Sequence, residues 1–177
     1  DAFINDLLVT SGNNISLSGT IDTDADIGMA GALSVTLTDS VTLISAGNVD
    51  TPAVDGAQQL SIVSTAAGVT LGTVGAVEAL ESLNAAGDTV TTEAVTTNLD
   101  MDIIAGSNSA GALTTTGAAT SSNGSIELTA QGGAAATISL GGNVAADGDA
   151  SFNGNVTLAA ASVDAITAGD AIDFTGN

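Results

Sequence analysis

The chain has 177 residues, of which 44% are apolar and 20 are Asp or Glu, and it has no Lys, Arg, His or Cys, so its formal net charge is −20. Without basic side chains it has nothing to neutralise phosphates, which argues against binding to nucleic acid or to anionic lipid headgroups. Without cysteine it has no disulfide, thiol nucleophile or soft-metal site. No run approaches the ~18 apolar residues of a membrane span, so no membrane insertion is expected.

Short strands separated by tight corners are predicted along the whole chain. Apolar residues two apart, broken by Gly, Asn or Ala, are typical of such strands. The predicted strands fall at 7–9, 15–21, 33–37, 41–44, 60–62, 69–74, 90–95, 99–104, 113–116, 126–128, 138–144, 152–158, 163–166 and 172–175. Residues 74–84 are ambiguous, since their apolar residues fall three apart, and a strand at Leu80–Leu83 fits the neighbouring pattern better than a helix.

One phrase of the sequence returns near the other end. Ile15-Ser-Leu-Ser-Gly-Thr-Ile21 is echoed by Ile138-Ser-Leu-Gly-Gly-Asn-Val144, and the match extends without a gap over 15–35 and 138–158 at an offset of 123 residues. We therefore predict a single continuous unit over 1–177 that holds about one and a half copies of a ~123-residue tandem repeat.

The pattern leaves three all-β architectures: tandem β-sandwich modules, a closed barrel and a parallel β-helix. A core of Ala, Val, Leu and Ile with three Phe and no Tyr or Trp favours the thin, layered interior of a β-helix (β-solenoid). Rungs of about 20 residues predict eight or nine turns and a rod about 40 Å long. Tandem β-sandwich modules are the alternative.

Several phrases resemble the repeat regions of filamentous-haemagglutinin-like proteins and autotransporter adhesins. They are Ala165-Ile-Thr-Ala-Gly-Asp-Ala-Ile-Asp-Phe-Thr-Gly176, Val54-Asp-Gly-Ala-Gln-Gln-Leu60, Val74-Gly-Ala-Val-Glu-Ala-Leu-Glu-Ser-Leu83 and Gly111-Ala-Leu-Thr-Thr-Thr-Gly117. The resemblance is one of pattern and covers most of the chain. It implies a right-handed parallel β-helix that is secreted and displayed at a bacterial surface as a stalk or fibre.

The terminal residues carry two further expectations. The start, Asp1-Ala-Phe-Ile-Asn-Asp6, has no initiator Met and no positive signal-peptide region, so the chain is expected to be mature, processed or excised. The phrase stops at Gly176-Asn177, where an apolar residue would come next. Because open solenoid ends are unpaired strand edges, the expected partners are copies of the chain or adjoining repeats.

Two groups of aspartates are candidate Ca²⁺ ligands, because alternating carboxylates supply the hard oxygen atoms that this ion prefers. The residues are Asp22, Asp24, Asp26, Asp147 and Asp149. Diffuse screening of the acidic surface by divalent cations is the competing explanation, and it is favoured over a formed Ca²⁺ site. No other cofactor is expected.

Catalysis has few side chains available to it. A Ser or Thr nucleophile needs a His or Lys base, which the chain lacks. Glycoside hydrolysis by two carboxylates stays open, with Asp22 and Asp24 or Asp100 and Asp102 as the pair, yet no Trp or Tyr offers a sugar-stacking platform. The chain is therefore predicted not to be an enzyme.

The threonine-rich stretches at 89–97 and 114–116 admit ice binding or O-glycosylation, although β-propensity and solubility are the favoured explanation. The prediction from the sequence is a structural segment of a secreted bacterial fibre, adhesin stalk or extracellular filament that stacks or continues end to end. The alternative is a Ca²⁺-binding surface-layer or extracellular-matrix protein built of β-sandwich modules.

Overall fold

The structure, a computed structural model, describes residues 7–9, 12–106, 108–159 and 165–175. In these residues the chain is all-β, every strand pair is parallel, and the sheets stack as a β-solenoid of about seven turns. The predicted parallel β-helix is confirmed, and the β-sandwich alternative is wrong, because sandwich modules pair their strands antiparallel. No helix of the described residues is long and apolar enough to cross a membrane.

Three parallel sheets form the sides of the solenoid. The eight-stranded sheet contains β1 (Leu7–Leu8), β3 (Ile27–Gly28), β5 (Val49–Thr51), β8 (Val69–Leu71), β10 (Thr89–Thr92), β13 (Ala112–Thr115), β16 (Thr137–Leu140) and β19 (Asn155–Leu158). The nine-stranded sheet contains β2 (Ile15–Thr23), β4 (Ser34–Ser45), β6 (Ala53–Asp55), β7 (Gln59–Ser64), β9 (Ser82–Gly87), β12 (Met101–Ala105), β15 (Ile126–Ala130), β18 (Ala150–Asn153) and β21 (Ile172–Thr175). The four-stranded sheet contains β11 (Val95–Thr97), β14 (Ala119–Ser121), β17 (Val144–Ala146) and β20 (Ile166–Ala168).

The number of turns follows from the register of the eight-stranded sheet. The stacked residues are Leu7, Ile27, Val49, Val69, Val90, Leu113, Ile138 and Val156. The separations between these partners range from 18 to 25 residues. A chain of this length therefore makes about seven turns rather than the expected eight or nine. At about 4.8 Å per turn the rod is about 34 Å long.

The core consists of inward columns that are mostly apolar, with buried Thr and Ser side chains at some positions. In the nine-stranded sheet the column runs through Leu43, Ile62, Ala85, Ile103, Leu128 and Phe152, which are all at most 1% exposed. Strand residues between these positions face outward, because side chains alternate between the two faces of a strand. The interior is therefore as thin as the aromatic-poor composition indicates.

Residues 74–84 contain no helix. Val74 and Leu80 make isolated parallel bridges, and the regular strand of this region begins at Ser82. Val77, which the helical spacing included, is 90% exposed. The strand interpretation of this segment is confirmed, although its regular part starts later than Leu80.

The two echoed phrases lie in different sheets. Ile15 belongs to β2 of the nine-stranded sheet, whereas Ile138 belongs to β16 of the eight-stranded sheet. In the first phrase the register shifts between Leu17 and Gly19, and Gly19 adopts a left-handed φ of 75° that favours glycine. The echo thus marks a shared local phrase at non-equivalent places, and the 123-residue unit stays a prediction. Val163 and the predicted stop at Gly176-Asn177 lie outside the described residues.

Candidate functional site

The first group of predicted calcium ligands lies where the chain leaves the nine-stranded sheet. Asp22 is an outward residue of β2, paired in register with Ile44, and Asp24 and Asp26 lie in the corner between β2 and β3. All three side chains are exposed. Exposed carboxylates on an extended corner keep their hydration, so this arrangement by itself gives a cation little reason to lose its water shell.

The second group lies at a different corner. Asp147 and Asp149 follow β17 and precede β18, between the four-stranded and the nine-stranded sheets, and both are exposed. The structure therefore does not bring the two groups together. Over the described residues, no group of three or more acidic side chains is placed to hold a metal ion.

Two of these aspartates instead belong to a set of side chains that bind the backbone of the next turn. We call the set the axial caps: Asp or Asn side chains whose Oδ1 atom accepts a hydrogen bond from a backbone N–H about one turn further along the chain. The bonds are Asn48 N to Asp26 (2.6 Å), Gly68 N to Asn48 (3.2 Å), Val77 N to Asp55 (2.8 Å), Asn108 N to Asp88 (2.8 Å), Ser125 N to Asp100 (2.9 Å), Ala165 N to Asn143 (3.1 Å) and Ala171 N to Asp149 (3.0 Å).

The axial caps all point the same way, from each turn toward the C-terminal neighbour. Most lie one residue before a strand, where the chain bends and the ladder of backbone bonds is interrupted; Asp100 precedes Met101 and Asp149 precedes Ala150. In the described part, neither Ser125 N nor Ala171 N donates to a backbone carbonyl. The carboxylate thus satisfies a donor that the corner leaves over, as an N-cap does for a helix.

The best test of this role is Asp100, since the chain itself uses Asn for the same purpose at Asn48 and Asn143. We expect Asp100→Ala to be less stable than Asp100→Asn by about 1 kcal/mol, because both remove the charge and only the asparagine keeps the acceptor. Urea denaturation of the two variants measures the difference. Equal stabilities of the two variants would show that the bond to Ser125 contributes nothing.

Asp102 is an acidic residue whose surroundings shift its pKa. Its side chain stands on the outer face of β12, with Asn84 on one side and Glu127 on the other in register. Burial, and then the negative charge of Glu127, raise the pKa of Asp102 above its ordinary value of 3.8. Asn84 Nδ2 donates to Oδ2 at 3.3 Å, whereas Oδ1 is buried and has no partner among the described residues.

A glycosidase needs one carboxyl group with a raised pKa as general acid and a second carboxylate as base or nucleophile, which is the test for the predicted pair of Asp100 and Asp102. Asp102 fits one role, but the Oδ1 of Asp100 is bound to the amide of Ser125 in an axial cap. Asp22 and Asp24 are both exposed. Neither pair is built as an acid with a matching base, and the absence of enzymatic activity stays a prediction.

The last described turn exposes apolar side chains of a kind that lies in the core elsewhere. Its inward side chains continue the core columns, yet Phe174 is 55% exposed, Ile172 45% and Leu158 52%. The rings of Phe152 and Phe174 stack with their centroids 4.9 Å apart, and only Phe152 is covered on both sides. The sequence pattern predicts strands at these positions, and the open ends of a solenoid are expected to stack on adjoining repeats or on a second copy.

No protein family model, curated protein or solved structure matches this chain.

Proposed function

We propose that the chain is a structural, non-enzymatic segment of a secreted bacterial surface fibre, adhesin stalk or extracellular filament. The observation that carries the proposal is the stacking of about seven parallel turns, whose apolar columns continue in register through β19, β20 and β21 of the last described turn. The partner that fits this surface is another turn of the same kind, in adjoining repeats of the same chain or in a second copy. The extracellular location is supported by the resemblance to adhesin repeats.

Stacking would satisfy both the side chains and the backbone of this end. Phe174 and Ile172 would lose the half of their surface that is now exposed, and fully burying such a side chain is worth roughly 1.5–3 kcal/mol. The unpaired edge of β21 would gain a parallel neighbour about 4.8 Å away. The product is a longer rod with the same cross-section, which is what a stalk requires.

Association of the purified chain tests the proposal. In moderate salt we expect concentration-dependent linear oligomers by sedimentation velocity, and oriented samples are expected to diffract with a repeat of about 4.8 Å along the fibre. Phe174→Asp should weaken association at least about tenfold, since it replaces an apolar contact worth more than 1.4 kcal/mol by a buried charge.

The matched control is Val77→Asp, which adds the same charge at an apolar residue that is 90% exposed on the side of the rod. Thermal melting of both variants by circular dichroism verifies that each is folded. If the unmodified chain stays monomeric over the whole range of concentration and salt, or both variants behave alike, end-to-end stacking is not the role of this surface.

A further inference from the structure

The outer side of the eight-stranded sheet carries a regular array of hydroxyl groups. We call it the threonine face and define it by the outward residues of β8, β10, β13, β16 and β19. They are Thr70, Thr89, Thr91, Ala112, Thr114, Thr137, Ser139, Asn155 and Thr157. Seven of these nine positions are Thr or Ser.

The array is ordered in two directions by the strand register. One column runs through Thr70, Thr91, Thr114, Ser139 and Thr157 on five successive turns, and a parallel column runs through Thr89, Ala112, Thr137 and Asn155. No register shift occurs in these pairs. Neighbours within a column are therefore about 4.8 Å apart, and the two columns are about 6.6 Å apart along the strands.

The hydroxyl groups of this face are available to a ligand. Among the described residues, none of the seven makes a hydrogen bond to the protein, whereas Ser45, Ser64 and Ser121 use their hydroxyls to bind backbone atoms. Thr70, Thr89, Thr91, Thr137 and Thr157 are exposed, and Thr114 and Ser139 are half-buried. Threonine has a restricted χ1, so the hydroxyl and methyl groups are held in place before any ligand arrives.

The face is also uncharged in a chain whose net charge is −20. None of its nine positions is acidic, and Asp50 of β5 takes the next register position beyond Thr70. The outer face of the nine-stranded sheet, by contrast, carries Asp102, Glu127 and Asp173 in one column. A cationic partner would favour the acidic side. A polysaccharide would need an aromatic platform, which the chain lacks. The ligand that remains is neutral, rigid, periodic and rich in hydrogen-bonding groups.

Crystalline water has these properties and nearly the same spacing. Hydrogen-bonded oxygens lie about 2.8 Å apart, and tetrahedral geometry then places second neighbours about 4.5 Å apart and repeats the layers about every 7.4 Å. The columns of the threonine face differ from these two lengths by about a tenth. We propose that the threonine face binds ice. The proposal goes beyond the structural role and does not depend on it.

The binding is physically a sum of many weak contacts made at once. Each hydroxyl occupies or bonds to one oxygen site of the lattice, while the methyl groups fill the spaces between these sites. The parallel sheet beneath is rigid, because inward residues such as Val90 and Leu113 are fully buried in the stacked core. Little conformational entropy is therefore lost on binding, so the free energies of many individually weak contacts can sum to a net affinity.

Thermal hysteresis, the gap between the melting and freezing temperatures of an ice crystal in protein solution, is the measurement. We expect the unmodified chain to show hysteresis and to shape the crystal. Thr114→Tyr places a bulky ring in the middle of the face and holds the lattice away from the neighbouring turns, so hysteresis at equal concentration should fall about tenfold or more. Tyrosine is well tolerated on strands, so the fold is expected to survive.

The matched control is Thr36→Tyr, at an exposed outward position of β4 in the nine-stranded sheet, which should keep the activity of the unmodified chain. Circular dichroism melting of both variants establishes that they are folded. Absence of hysteresis in the unmodified chain, or equal loss in both variants, overturns the proposal. The proposal is also overturned if Thr114→Tyr dissociates a side-by-side dimer and leaves the hysteresis unchanged, since the face would then be an interface between copies.

Discussion

Ile103→Asp is expected to prevent the solenoid from folding at neutral pH, whereas Ile104→Asp leaves it folded. Ile103 is fully buried and lies in register between Ala85 and Leu128, in the middle of the core column of the nine-stranded sheet. The chain has no Lys, Arg or His, so a carboxylate placed there has no side chain that can neutralise it. Breaking a core in this way costs several kcal/mol, out of a total stability of about 5–15 kcal/mol.

Ile104 is the matched control. It is the same residue type, one position further on the same strand, and its side chain is outward and half-buried. Its replacement adds the same charge and removes the same apolar groups. Circular dichroism at neutral pH, followed by thermal melting, distinguishes the two variants. Similar melting curves would mean that β12 is displaced by one residue in register, since such a displacement exchanges the two faces of a strand.

The alternation of apolar and polar residues was enough to predict the fold class and most of the inward residues. Leu113, Ile126 and Ile138 lie at predicted positions and are fully buried. Leu33 was predicted to belong to a strand with Val35, yet it precedes β4 and is 70% exposed. Local alternation identifies a strand, but the end of a strand depends on where the neighbouring turn stops providing backbone partners.

The sequence does not show the length of each turn. Both the number of turns and the sheets on which the two echoed phrases lie depend on that length. The separation between stacked partners reaches 25 residues between Leu113 and Ile138, and falls to 18 between Ile138 and Val156. Extra residues enter at corners, where they do not alter the phrase of the strands. Similar phrases can therefore lie on different sheets, as those at Ile15 and Ile138 do, and the number of turns cannot be derived from a mean spacing.

The axial caps were missed for the same reason. A usable signal exists, since Asp or Asn stands directly before an apolar-x-apolar run at Asp26, Asp100, Asn143 and Asp149. The donor to each of these side chains lies 22–25 residues away. Only the turn length identifies that donor. Asp26 and Asp149, two of the predicted calcium ligands, accept hydrogen bonds from backbone amides, and the calcium site itself stays a prediction.

The stability of the chain is expected to depend strongly on salt. All 20 ionisable side chains are acidic, and two like charges 10 Å apart in water repel each other by about 0.4 kcal/mol. Raising the salt from about 0.01 M to about 1 M shortens the Debye length from about 30 Å to about 3 Å, which removes most of this repulsion. We expect the melting temperature to rise by about 10 °C, because each kcal/mol shifts it by about 2–4 °C at this size.

Divalent cations separate screening from a formed calcium site. If the aspartates at 22–26 and 147–149 only contribute to the charge of the rod, CaCl₂ and MgCl₂ at equal ionic strength raise the melting temperature equally. Asp24→Asn should then have the same effect as Asp173→Asn, which removes one exposed charge from β21. A larger shift with calcium, reversed by a chelator and lost only in Asp24→Asn, would instead establish a structural ion. The exposed, unclustered carboxylates of the described corners favour equal shifts, because charge density rather than coordination then sets the response.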